Sequence, residues 1–189
     1  NAKMGLICAT PTAGSAGVVS GVLLAVIDRL KLTHQQQLDF LFTAGAFGLV
    51  IANNASISGA EGGCQAEVGS ASAMASAALV AASGGTPDQS AQAVAITIKN
   101  MMGLICDPVA GLVEVPCVKR NALGSSQAFI SADMALAGIR SVIPPDEVIH
   151  AMYQVGRQMP QIFKETAEGG LAVTPTAQRL SKEILEKQK

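Results

Sequence analysis

Apolar positions recur along the chain at three- and four-residue intervals and strict alternation is nearly absent, so helices rather than strands are expected throughout. The first predicted helix starts within Gly14-Ser15-Ala16-Gly17 and runs to about Leu30. A second opens after Thr33, which serves as the cap while Gln36 reaches back to complete a capping box. It carries Leu38, Leu41, Phe42 and Phe47 and breaks at Asn53-Asn54. The third follows Cys64, continues through Met74 and Leu79, and stops at Gly84-Gly85. Thr86-Pro87 restarts the chain, with Thr86 as cap and Pro87 at the first helical position. That fourth helix runs through Val94 and Ile98 toward Gly103. Residues 104–117 read as an irregular loop, since Pro108, Gly111 and Pro116 each oppose a regular element. A fifth helix is expected from about Val118 to Ile139, and a sixth from Pro144-Pro145-Asp146 to a break at Pro160. Beyond a turn at Glu168-Gly169-Gly170, Thr174-Pro175 opens a short charged terminal helix. The pattern predicts one all-α domain of six to seven helices spanning residues 1–189.

Composition refines this picture. Of 189 residues, 49% are hydrophobic but only 3% aromatic, so the core is built from small aliphatic side chains with Gly and Ser between them. Helix backbones packed through such residues approach closely. The mean hydropathy of +0.38 raises a membrane reading. The two most apolar stretches, residues 16–27 and 40–52, fall short of the ~20 residues that span a bilayer. Asp28-Arg29 and Asn53-Asn54 close them with groups that hydrocarbon does not tolerate, so buried core helices are the better account. A net charge of -1 without clustered Lys and Arg argues against a nucleic-acid surface. The N-terminus lacks a basic segment followed by an apolar signal core. Four cysteines are too few for a disulfide scaffold, and a reducing, cytoplasmic setting suits them.

Three of the cysteines lie in turns rich in Gly and Pro: Glu61-Gly62-Gly63-Cys64, Cys106-Asp107-Pro108 and Pro116-Cys117-Val118. A single cysteine is most often a small buried hydrophobe, and Cys8 reads that way or as a neighbour of the site. Cys64 opens a helix, where unpaired N–H groups and the positive dipole end favour a thiolate. Gly62 and Gly63 leave space for a bulky inorganic ligand, and Cys106 and Cys117 bracket a curved loop. The spacing matches neither a zinc ribbon nor a ferredoxin run. Three sulfur ligands leave one metal position open, an arrangement suited to Lewis-acid catalysis. The turn Thr10-Pro11-Thr12-Ala13-Gly14-Ser15 offers hydroxyls and N–H groups at a helix N-terminus. It reads either as a carboxylate cradle formed by Thr10, Thr12, Ala13, Gly14 and Ser15 or as an ordinary helix cap. Ser56 and Ser58 are candidate pocket-lining residues or local hydrogen-bond partners.

Three segments together resemble the iron–sulfur-dependent L-serine dehydratases. They are Cys8-Ala9-Thr10-Pro11-Thr12-Ala13-Gly14-Ser15-Ala16-Gly17, Ser56-Ile57-Ser58-Gly59-Ala60-Glu61-Gly62-Gly63-Cys64-Gln65-Ala66-Glu67-Val68-Gly69, and the stretch from Gly103 through Cys106-Asp107-Pro108 and Pro116-Cys117-Val118-Lys119-Arg120-Asn121. The resemblance extends from about Met4 to about Pro175. It implies an all-helical domain in which Cys64, Cys106 and Cys117 hold a [4Fe–4S] cluster. It also implies a lyase that converts L-serine to pyruvate and ammonia, with an open iron acting on the β-hydroxyl. The charged tail after Glu168-Gly169-Gly170 ends in Lys189 without a cysteine, which resembles the alpha chain of the two-subunit branch. A beta chain, an oligomer and an alpha-chain segment preceding this one are implied by the same likeness.

The base that removes the α-proton has no clear candidate in the sequence. His150, among Val148, Ile149, Met152 and Tyr153, reads as a surface or core histidine, and His34 as a solvated one. Glu61, Glu67, Asp107 and Glu114 read as anchors for Lys119, Arg120 or backbone N–H groups. Air is expected to pair Cys106 with Cys117 in cluster-free protein. A non-catalytic iron–sulfur sensory or electron-transfer domain is the alternative reading.

Overall fold

The computed structural model describes residues 5–187; Met4, where the resemblance begins, and the last two residues lie outside them. Its centre is a helix that is small or apolar on every side. α4 (Cys64–Ala82) is buried without a break from Cys64 to Val80, as a helix must be when neighbours surround it rather than flank it. Around it pack α1 (Ala16–Leu30), α2 (His34–Asn54), α5 (Pro87–Met101), α6 (Cys117–Leu136) and α7 (Pro145–Gln158). The single turn α3 (Gly59–Gly62) is wedged against α4 and α7, and α8 (Pro175–Lys187) lies against the loop turn at Val109–Gly111. No strand occurs among the described residues; the one bridge is Cys106 with Lys164. The fold is all-α, and no described helix is long and apolar enough to cross a membrane.

The local signals act as expected. Thr33 and Gln36 form the capping box of α2, and Thr86 with Gln89 forms another at α5, where Pro87 takes the first position. α2 turns Phe40, Ala44, Gly48 and Ile51 inward at helical spacing. Two of the three serines of α4 return their hydroxyls to carbonyls of the same helix, Ser72 to Val68 and Ser76 to Ala73, and so occupy the interior at little cost, whereas the buried Ser70 hydroxyl has no partner among the described residues. Two differences stand out. α3 was not expected, because four residues with three glycine or alanine positions carry no periodic signal. α6 stops at Leu136 instead of Ile139, where the Ile139 N–H folds back onto the Met134 carbonyl and closes the helix.

Small residues bring the helices close. A Cβ at Gly124 of α6 would lie 2.5 Å from Ser72 Oγ and 2.9 Å from Val68 Cγ1 of α4. Gly124→Val is therefore expected to lower stability by about 1–3 kcal/mol through overpacking, seen as a lower urea midpoint with an unchanged slope. At the α3–α7 crossing, a Cβ on Gly156 would meet the Gly62 Cα at 2.9 Å, so these two backbones touch.

Candidate metal centre

Three helices begin at one place. The first turns of α1, α4 and α6 bring together Thr12 to Ser15, Cys64 to Glu67, and Cys117 to Asn121. The Thr12 hydroxyl donates to Glu67 Oε1, and Asn121 Nδ2 donates to the Gly14 carbonyl at 2.7 Å. Each helix start presents unpaired N–H groups and a positive dipole end, so their convergence favours negative charge between them.

Ligand atoms of Cys64, Glu67 and Cys106 all lie within 4.8 Å of one another, and all three residues are buried. The loop carrying Cys106 is pinned by its backbone: the Cys106 N–H donates to Phe163 O at 2.8 Å, and Glu165 N–H donates to Cys106 O at 2.9 Å. Cys117 is buried at the start of α6 and stands outside that trio, yet the charges of Cys64 and Glu67 reach it. Burial foremost, then those charges, pushes its thiol up to about 11. The Cys106 thiol donates to the Cys64 sulfur. This lowers the Cys64 pKa against the pull of burial, with Arg120 helping, and it raises that of Cys106. Cys64 and Cys106 are thus a close pair of thiols beside the expected pair Cys106 and Cys117. Cys8 is exposed and apart from the group; it borders a groove of about 800 Å³ over α1 and α6.

The Thr-rich turn has two faces. Thr12 and fully buried Ser15 share a hydrogen bond of 2.9 Å and face Glu67, so these hydroxyls shape the turn. Thr10, Ala13 and Gly14 border the groove with Cys8. Among the described residues, the Ala13 and Gly14 N–H groups have no acceptor. Ser58 begins α3, and its N–H donates to Ser56 Oγ. Ser56 in turn donates to Glu61 and lines a separate cleft of about 390 Å³ with Arg157 and Lys164. His150 is exposed beside Gln154 and Tyr153, and His34 is exposed at the start of α2.

A model of the family described as "Serine dehydratase alpha chain" matches residues 1–172. The "Probable L-serine dehydratase, alpha chain" of Bacillus subtilis is 70% identical over 184 residues, covering 97% of this chain and 61% of that protein. The protein of the same name from Latilactobacillus sakei is 60% identical, covering 97% of this chain and 88% of that one. The "L-serine dehydratase, alpha chain" of Peptoniphilus asaccharolyticus is 50% identical, covering 98% and 64%. This chain belongs to the serine dehydratase alpha chain family. It falls in the two-subunit branch, and it spans about three fifths of the Bacillus subtilis family member.

The partner of Glu67 in this family member lay outside the sequence reading. Glu67 anchors no cation: its hydrogen-bond partner is Thr12, while Asp107 alone of the four carboxylates pairs with Arg120. The spacing Cys64 to Glu67, three residues along a helix, was the available signal, since it places both side chains on one face. Burial raises the Glu67 pKa above its ordinary 4.5, with Thr12 opposing and Glu165 adding to the rise. The folded chain therefore binds more protons than the unfolded one between those two pKa values, and stability falls as pH rises through that window. Metal-free Glu67→Gln is expected to be more stable than its parent at neutral pH. The gap should close as pH falls toward 4.5, as urea midpoints under reducing conditions would show.

Proposed function

We propose that this chain is the catalytic domain of a two-chain L-serine dehydratase, a cytoplasmic lyase that yields pyruvate and ammonia. In this reading it lacks a further alpha-chain segment, and works with a beta chain in an oligomer. The observation that carries the reading is the meeting of buried thiols and the Thr12 turn where α1, α4 and α6 begin.

The donor set fits a [4Fe–4S] cluster held by Cys64, Cys106 and Cys117. Three buried sulfurs are soft ligands of the kind such clusters take. Gly59 leaves the rim open: a Cβ there would lie 3.2 Å from Cys106 Sγ and from carboxylate oxygens of Glu67 and Glu165. When bound, the cluster supplies a Lewis acid at its thiolate-free iron for the β-hydroxyl of serine. The chain's own residues do the rest of the binding. The free amides of Ala13 and Gly14, with Thr10 beside them, grip the substrate carboxylate at the start of α1. Thr12 and Ser15 hold that turn against Glu67, which ties the substrate cradle to the thiol site. Loss of the α-proton and the hydroxyl leaves aminoacrylate, which tautomerises and hydrolyses to pyruvate and ammonia.

Anaerobic reconstitution with iron and sulfide, with the beta chain present, tests the proposal by a pyruvate assay on L-serine. Visible cluster absorption with pyruvate release is the expected result. Absorption without pyruvate would favour the sensory or electron-transfer alternative instead.

A further inference from the structure

Arg120 lies three residues past Cys117, one turn into α6, and its Nη1 faces three acceptors. They are Asp107 Oδ1 at 2.7 Å, the Ile105 carbonyl at 2.9 Å and Cys64 Sγ at 3.7 Å. Ile105 and Asp107 are the neighbours of Cys106 on either side. One guanidinium thus touches the first thiol, grips both flanks of the second, and shares the opening turn of the third. Its side chain is 14% exposed and that of Asp107 only 2%, so the pair is enclosed. Asp107 is fixed in turn: its other oxygen accepts the Leu171 N–H at 2.7 Å, and Gly170 leaves room for the carboxylate.

The placement answers a physical difficulty. Three sulfurs crowded out of water repel one another once they are thiolates; the Gln65 N–H to Leu104 carbonyl bond ties α4 to the loop, but among the described residues no backbone bond ties the first turn of α6 to α4. All three contacts leave from the one nitrogen Nη1; the planar guanidinium fixes the directions of its N–H groups, which a freely rotating ammonium does not. The hydrogen bond to Cys64 is the longest of the three, so the two short ones fix the position and the third acts on the sulfur.

Resting on the cluster assignment proposed above, we infer that Arg120, locked by Asp107, is the positioning residue of the thiol centre: it holds the three cysteine-bearing segments together and donates a hydrogen bond to Cys64 Sγ. Donors and positive charge beside a ligand sulfur stabilise the more negative, reduced state of a cluster. Removing them lowers its potential.

The test compares the parent chain with Arg120→Gln, Arg120→Lys and Asp107→Asn after anaerobic reconstitution. Three quantities are read: iron and sulfide per chain, the rate of iron loss to a chelator, and the midpoint potential. Arg120→Gln is expected to lose iron about tenfold faster or more and to show a lower potential. Arg120→Lys should recover much of the potential, because the charge remains, but less of the retention. An Arg120→Gln chain of normal helical content with parental iron loss and parental potential would overturn the inference. Should Arg120→Gln fail to fold, Arg120→Lys and Asp107→Asn decide by the same readings.

If the parent chain takes up no cluster, the cluster assignment fails, and the positioning role is then read from the metal-free chain. Dibromobimane fluoresces only when it bridges two neighbouring thiols, and Cys64 and Cys106 are such a pair. A lower end-point yield in Arg120→Gln, regained in Arg120→Lys, supports the role; equal yields overturn it.

Discussion

A Cys106→Ser chain is expected to take up no stoichiometric iron and to give no pyruvate above background when combined with the beta chain. Cys106 belongs to the close group with Cys64 and Glu67, and its backbone is tied on both sides to residues 163 and 165. A serine there keeps the backbone ties and the helices, so circular dichroism should change little, while the soft ligand is gone. A Lewis acid contributes several kcal/mol to an elimination of this kind. At about 1.4 kcal/mol per tenfold, its loss lowers the rate by roughly a hundredfold at least. Cys8→Ser is the internal control. Cys8 is exposed whereas the other three are buried, so its loss should leave iron content unchanged. Equal losses of iron in both variants would mean that the thiols act through general oxidation sensitivity and not as a ligand set.

The helices were legible because their ends carry explicit chemistry. Thr33 with Gln36, Thr86 with Pro87, and the prolines at 144, 145 and 160 fix boundaries that no tertiary contact needs to supply. Boundaries without such residues were less legible. α6 begins on Cys117 itself, and α3 exists because Gly62 and Gly156 let two backbones touch, a contact between residues far apart in the chain. The site divides in the same way. Cysteines in glycine and proline turns point to a metal from sequence alone, and the Thr-rich turn points to an anion. That these two features meet is a fact of packing: Thr12 reaches Glu67 across 55 residues. Asp107 was read as one of four carboxylates that could anchor Lys119, Arg120 or a backbone N–H, and it holds both Arg120 and the Leu171 N–H; which of the four would do so left no periodic trace. Ser56 read as a pocket-lining residue or a local hydrogen-bond partner; it donates to Glu61 and lines the cleft with Arg157 and Lys164.

Gly63→Ala is expected to be the most damaging single-methyl change in the chain. Gly63 has φ +74 and ψ -178, a combination essentially closed to residues with a side chain. An added Cβ would also lie 2.6 Å from Met159 Sδ and 2.9 Å from the Leu104 carbonyl oxygen. The thioether can move; the carbonyl cannot, because it accepts the Gln65 N–H at 2.9 Å and anchors the loop that leads to Cys106. Backbone strain of about 1–3 kcal/mol therefore adds to overpacking of about 1–3 kcal/mol, a large part of a domain's typical ~5–15 kcal/mol. Gly103→Ala separates the two contributions, since Gly103 has φ +87 and open space around its Cβ position. It should lose only the strain, about 1–2 kcal/mol, and keep its capacity for iron. Gly63→Ala should lose more stability and also iron, because the residue it displaces next is Cys64. Equal urea midpoints for the two variants would show that the Leu104 contact relaxes freely, and the register between Cys64 and the Cys106 loop would then not depend on this glycine.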